Sequence, residues 1–195
     1  MLRFLGFALF AIILAGAAST VRATPLQYIA TLDGASEVPP TGSPAAGFAD
    51  VDFDLALHSL FVHETFSGLS AFASAAHIHS PALPGANAGV AIPFVLFPFA
   101  TSGTYTHTFD TSDPAIYSAA FLANSGGTAA AAEAALGASL AAGTAYANIH
   151  DSVFPGGEIR GQFALSPVPE PSTMLLLGAG LAGFAGYRLR KKAAG

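Results

Sequence analysis

The chain of 195 residues contains no cysteine, so neither disulfides nor thiolate metal sites are available to it. An oxidising compartment permits disulfides without demanding them, and the core must therefore hold by packing alone. Basic residues are almost as scarce. Between Thr24 and Pro167, a span of 144 residues, Arg160 is the only Lys or Arg, against eleven Asp and Glu, a formal net charge of −10. Such a surface repels nucleic acid and anionic lipid and favours cations, so nucleic acid is excluded as a partner. No Gly-x-Ser-x-Gly, no nucleotide-binding loop and no catalytic triad pattern is present. Paired carboxylates can do glycoside chemistry, but Glu37 and Glu158 sit in Gly- and Pro-rich phrases that read as architecture. The chain is not expected to be an enzyme.

What is abundant lies at the ends. Arg3 is followed by an apolar run from Phe4 to Ala18, and Val21-Arg22-Ala23 places small residues where a signal peptidase reads, predicting cleavage before Thr24. Val168-Pro169-Glu170-Pro171-Ser172 precedes a second apolar stretch, Thr173 to Tyr187, and Arg188, Arg190, Lys191 and Lys192 follow it. As a helix this stretch measures about 22 Å, short against a hydrocarbon core of about 30 Å, so it spans only with thinning or snorkelling. The basic cluster is expected on the cytoplasmic side, with the domain outside. The order of Pro-Glu-Pro joint, short Gly/Ala/Leu helix and Arg/Lys cluster resembles the PEP-CTERM sorting signal. That resemblance implies a Gram-negative host, processing by an exosortase, and an inner-membrane intermediate on the way to the cell surface or extracellular matrix. The expected organisation is a signal peptide (1–23), one domain (24–167) and a sorting tail with a short transmembrane helix (168–195).

Within the domain, alternation dominates. Ala49 to His58 sets Ala49, Val51, Phe53, Leu55 and Leu57 against Asp50, Asp52, Asp54, Ala56 and His58, predicting a strand with one face in and one face wet. The three aspartates lack the turn and distal Glu of an EF-hand and read as a solvated face. Further strands are predicted over 27–32, 60–68, 74–79, 90–99 (with Pro93 and Pro98 demoting part of it), 103–109, 145–150 and 158–165. Asp113-Pro114 opens a predicted short helix toward Leu122, and the Ala-rich segment Thr128 to Ala142, stopped by Gly143, predicts a second. The fold class expected is all-β: a Greek-key-like antiparallel sandwich or barrel with a helical excursion before its last two strands.

The chemistry-bearing residues are histidines. His77 and His79 are separated by one residue, so period two places both imidazoles on one strand face with Ile78 on the other; Asn148 and His150 repeat the arrangement around Ile149. A His-x-His pair on a strand suits copper or zinc, so His77, His79 and His150 form a candidate metal site. Asn148 is a candidate for orienting a ligand. Alternatively, the histidines are structural, bonded to carbonyls or stacked on rings. The order of the two strands is similar to that in copper/zinc superoxide dismutase. The segment Ser80 to Gly89 has no counterpart of that enzyme's long zinc loop, however, so dismutase activity is not expected. Arg160 beside Glu158 is expected to be an ion-pair centre, with Glu37 as its partner. His58, His63 and His107 are expected at the surface.

Four phrases recur in a recognisable order: Leu32-Asp33-Gly34-Ala35-Ser36-Glu37-Val38-Pro39-Pro40, Ala76-His77-Ile78-His79, Tyr146-Ala147-Asn148-Ile149-His150 and Gly156-Gly157-Glu158-Ile159-Arg160-Gly161-Gln162. Together they resemble the CHRD domain, over about Pro25 to Leu165. That family resemblance implies an extracellular module and little chemistry. The function expected is a non-enzymatic binding or structural role toward extracellular polysaccharide or matrix protein. The alternative is a copper- or zinc-binding domain.

Overall fold

The computed structural model describes residues 25–167, 177–184 and 190. The expected signal peptide, its cleavage point and the Val168 to Ser172 motif lie outside the described residues. The strands are Leu26–Asp33 (β1), Ala46–Asp54 (β2), Ser59–Ser67 (β3), Ala73–His79 (β4), Val90–Pro93 (β5), Gly103–Asp110 (β6), Tyr146–Asp151 (β7), Ile159–Gln162 (β8) and Ala164–Leu165 (β9). They form one antiparallel sheet in the order β5-β4-β7-β8-β1-β2-β3-β6, with β9 also pairing with β1. The connections β3 to β4 and β6 to β7 cross over, so the pairings are non-local, as the Greek-key expectation requires. The sheet curls into a half-barrel. Its two outer regions meet through rings, Phe94 after β5 lying 5.0 Å from Tyr105 on β6 and Phe97 lying 5.2 Å from Phe66 on β3.

The core-facing row of each strand follows the alternation in the sequence. Ala49, Val51 and Phe53 are buried, as are Leu60 and Val62, Ala76 and Ile78, and Ala147 and Ile149. The helical excursion lies between β6 and β7. Asp113 Oδ1 accepts from the Ala115 N–H, as an N-cap should, but the segment it opens is a 3-10 turn over Pro114–Ile116. The helix proper restarts at the Ser118 cap as Ala119–Asn124 (α1). Thr128 caps Ala129–Ala141 (α2), which stops before Gly143 at φ +65°. Leu136 and Leu140 of α2 complete the core. A Cβ at Gly137 would come within 2.7 Å of the Phe53 ring, so a glycine there lets α2 lie close against the sheet.

Three expectations need correction. Strand β2 ends at Asp54 and not at His58, because Asp54 Oδ1 accepts the N–H groups of Ala56 and Leu57 and closes a turn. His58 sits in the left-handed region at φ 51°, and Leu55 and Leu57, placed in the core by the alternation, are exposed. The 90–99 run is a strand only to Pro93, the point at which proline removes a ladder donor. The 158–165 run breaks at Phe163, whose N–H bonds Ala145 instead. In the tail, residues 177–184 and 190 are helical, but no helix among the described residues is long and apolar enough to cross a membrane. The two ends of the expected helix, 173–176 and 185–187, lie outside the described residues.

Candidate metal centre

Strands β4 and β7 pair with His77 opposite Asn148, His79 opposite Tyr146 and Ala75 opposite His150. The even positions Ala76 and Ile78 face the core, which turns both β4 histidines to the outer face; on β7, Ile149 does the same for His150. The structure brings His77, His79 and His150 together, with one ligand nitrogen from each lying within 4.8 Å of the others. Ring centroids are 5.4 Å apart for His77 and His79, 5.0 Å for His77 and His150, and 5.9 Å for His79 and His150.

The partners of the rings fix which nitrogens are free. His79 Nδ1 lies 2.9 Å from the Ala88 carbonyl, and His150 Nδ1 lies 3.1 Å from the Pro155 carbonyl. A carbonyl only accepts, so both Nδ1 atoms carry the proton and each Nε2 presents a lone pair. His79 Nε2 is buried and has no hydrogen-bond partner. His150 Nε2 accepts from His77 Nδ1 at 3.2 Å, a hydrogen bond that a bound ion would replace once His77 gives up that proton. Two nitrogens at that separation, each about 2.0–2.1 Å from one ion, subtend an angle near tetrahedral. His79 must close in on them, which is a side-chain adjustment and not a change of fold. Backbone carbonyls bonded to the second ring nitrogen are the usual means of orienting a metal-binding imidazole.

Burial also keeps the rings neutral. His77 is pushed down to about 4 by burial, and then by the adjacent His150 and His79. His79 is likewise pushed down to about 4 by burial, against its bonds to the backbone of Ala88 and Gly89. His150 is lowered by burial, against its bond to Pro155. Three neutral imidazoles whose nitrogens converge from two strands can hold a borderline transition-metal ion.

The remaining candidates surround this cluster without entering it. Asn148 does not orient a histidine: its amide donates to Glu37 Oε1 and to the Ile159 carbonyl. Arg160 Nε lies 3.9 Å from Glu37 Oε2, with both side chains 5% exposed. Its hydrogen bonds go to the carbonyls of Ser36 (2.6 Å) and Ala86 (3.3 Å) and to Asn87 Oδ1 (2.8 Å). Arg160 thus staples the 34–41 and 80–89 segments onto β8. Glu37 is raised by burial, against the Asn148 hydrogen bond and the Arg160 charge. Glu158 is fully buried and accepts from Ser43 Oγ (2.6 Å), Ser70 N–H (2.9 Å) and Ser70 Oγ (2.7 Å). Glu37 and Glu158 therefore serve separate partners. Gly157, at φ +125°, leaves room for the Glu37–Asn148 contact, since a Cβ there would lie 2.6 Å from both.

Four features were not foreseen from the sequence. Tyr146 stacks on His79 with centroids 4.8 Å apart and planes 4° apart, and the Arg160 guanidinium lies over the Tyr146 ring at 4.7 Å. The 80–89 loop supplies no side-chain ligand, but its Ala88 carbonyl orients His79 and its Ala88 N–H donates to Tyr146 Oη. Asp151 is buried and accepts the N–H groups of Ala71, Val153 and Phe154, fixing the turn whose Pro155 carbonyl holds His150. His58 is tied to Glu133 of α2, with Nδ1 2.9 Å from Oε2, and His63 to Asp50 at 2.8 Å.

Comparison with known proteins agrees with the four phrases and the tail. The CHRD domain matches residues 28–163, and the PEP-CTERM protein-sorting motif matches residues 167–191. No curated protein and no solved structure matches the chain. The sorting motif marks the chain for export through a membrane-anchored intermediate in a Gram-negative bacterium and for exosortase-type processing. With more than half of its length matched, and with the histidine cluster built from two of its recurring phrases, the chain belongs to the CHRD-domain family.

Proposed function

We propose that this is a non-enzymatic protein of the cell surface or extracellular matrix whose domain binds one copper or zinc ion through His77, His79 and His150. The observation that carries the reading is the convergence of three neutral imidazoles within 4.8 Å, one of them with a buried and unpartnered Nε2. A lone pair buried without a donor is costly unless something occupies the space before it. Burial, the carbonyls of Ala88 and Pro155, and the stacked Tyr146 preorganise the rings for that occupant. The acidic domain raises the local concentration of cations without supplying a ligand. Elemental analysis of protein purified without a His-tag tests it. One equivalent of copper or zinc is expected in the native protein and none in the His79→Gln, His150→Gln double variant. A metal-free native protein that also takes up neither ion on titration would refute it.

A second reading, binding of matrix polysaccharide or protein, is supported by the exposed ring pair Phe72 and Phe99, 53% and 75% exposed with centroids 5.1 Å apart. Contiguous exposed apolar surface, of which two adjacent rings form part, marks interaction sites. Loss of matrix binding in Phe72→Ser, Phe99→Ser with an unchanged metal content would favour this reading, and unchanged matrix binding would remove it.

A further inference from the structure

We infer that the three-histidine site selects monovalent copper over divalent zinc, an inference that rests on the metal-site reading above and names the ion. The first ground is the charge of the donors. Among the described residues, the cluster that can hold an ion consists of three imidazoles and includes no carboxylate. Sulfur donors are also absent, since the chain has no cysteine and its two methionines, Met1 and Met174, lie outside the domain. No protein donor at the cluster therefore offsets the charge of the ion.

The carboxylates nearest in the sequence pattern are committed elsewhere. Glu37 is held by the Asn148 amide and paired with Arg160. Asp151 accepts three backbone N–H groups of its own turn and of Ala71. Both are taken up by these partners, and neither belongs to the cluster.

The second ground is desolvation. His79 is 8% exposed, and the 80–89 loop folds over it through Ala88. The cost of moving an ion out of water grows with the square of its charge, whereas its attraction to neutral dipoles grows only linearly. A divalent ion with no anionic ligand is thus penalised far more than a monovalent one.

The third ground is coordination number. Zinc in protein sites is almost always four-coordinate, and at this cluster it would have to keep a water or hydroxide. Copper(I) has a filled d shell and is satisfied by two or three donors. His77 Nδ1 and His150 Nε2 already face one another at 3.2 Å, and His79 Nε2 completes the set. Thiolates and thioethers usually select copper(I); here the selection comes from charge and donor number, with imidazole still a good copper ligand.

The test is a comparison of affinities on protein purified without a His-tag. Copper(I) is titrated anaerobically against bicinchoninate, silver(I) serves as a second monovalent probe, and zinc(II) is titrated against a chromophoric chelator. The expected result is one equivalent of copper(I) bound at least about tenfold more tightly than zinc(II), with silver(I) following copper(I). Binding should be lost in His79→Gln and in His150→Gln, with thermal unfolding confirming that each variant is folded. Should the His79 variant not fold, the less buried His150 carries the test. Zinc(II) binding equal to or tighter than copper(I), and still lost in the variants, overturns the preference while leaving the metal site standing. Absence of binding by every ion, or binding that survives both variants, overturns the site and the preference together.

Discussion

Glu64 lies in the core-facing row of β3, between Val62 and Phe66, fully buried and with neither carboxylate oxygen hydrogen-bonded. Burial pushes it up to about 8. In the unfolded chain it ionises near 4.5, so between about pH 4.5 and 8 the unfolded state has lost a proton that the folded state keeps. The sign follows: this group's full contribution is present below pH 4.5, falls as the pH rises, and is gone above pH 8. At 1.36 kcal/mol per unit, the total is about 5 kcal/mol. His77 and His79 act in the opposite sense between about pH 4 and 6.5, being neutral when folded and protonated when unfolded. The clean window is therefore pH 6.5 to 8, in which Glu64 alone should cost about 2 kcal/mol. Urea unfolding followed by circular dichroism at several pH values measures it. Glu64→Leu should remove this slope and be more stable than the native chain at pH 8, because it takes the unpaired carboxyl out of the core. An identical slope in the variant, or a variant less stable at pH 8, would refute the reasoning.

Arg160→Met should lower stability by about 3–5 kcal/mol, because it strands Glu37 in a buried setting and releases two loops; an unchanged thermal midpoint would place Arg160 outside the scaffold. The imidazole resonances of His77 and His79 should titrate with midpoints near 4, and apo-protein stability should fall as the pH drops from 6.5 toward 4; midpoints near 6.5 would contradict their burial. Mass spectrometry of protein from its native host should find the chain ending near Pro169-Glu170-Pro171, and recovery of the intact chain through Gly195 in the surface fraction would count against exosortase processing.

Much of this was legible because it depends on period and order. Alternation along 49–54 and 60–66 fixed which residues turn inward, and the His-x-His spacing fixed a shared face before any partner strand was known. The pairing of β4 with β7 was not legible, because 66 residues separate His79 from Tyr146 and period two says nothing of neighbours. The orienting groups were hidden for a different reason. The carbonyls of Ala88 and Pro155 belong to backbone, which every residue carries, so no residue type announces them. Leu55 and Leu57 misled because the turn at Asp54 interrupts a pattern that continues by composition alone. Glu64 could have been found: it is the one charged residue in the row Leu60, Val62, Glu64, Phe66, and that interruption is the signal.

The most direct test of the central claim is anomalous diffraction from crystals of the protein grown with copper or zinc. The account predicts one peak on the outer face of β4 and β7, about 2.0–2.1 Å from His77 Nδ1, His79 Nε2 and His150 Nε2, with the Ala88 and Pro155 carbonyls still bonded to the second nitrogens. An empty cluster in the presence of excess metal, or a peak held by other residues, would contradict it.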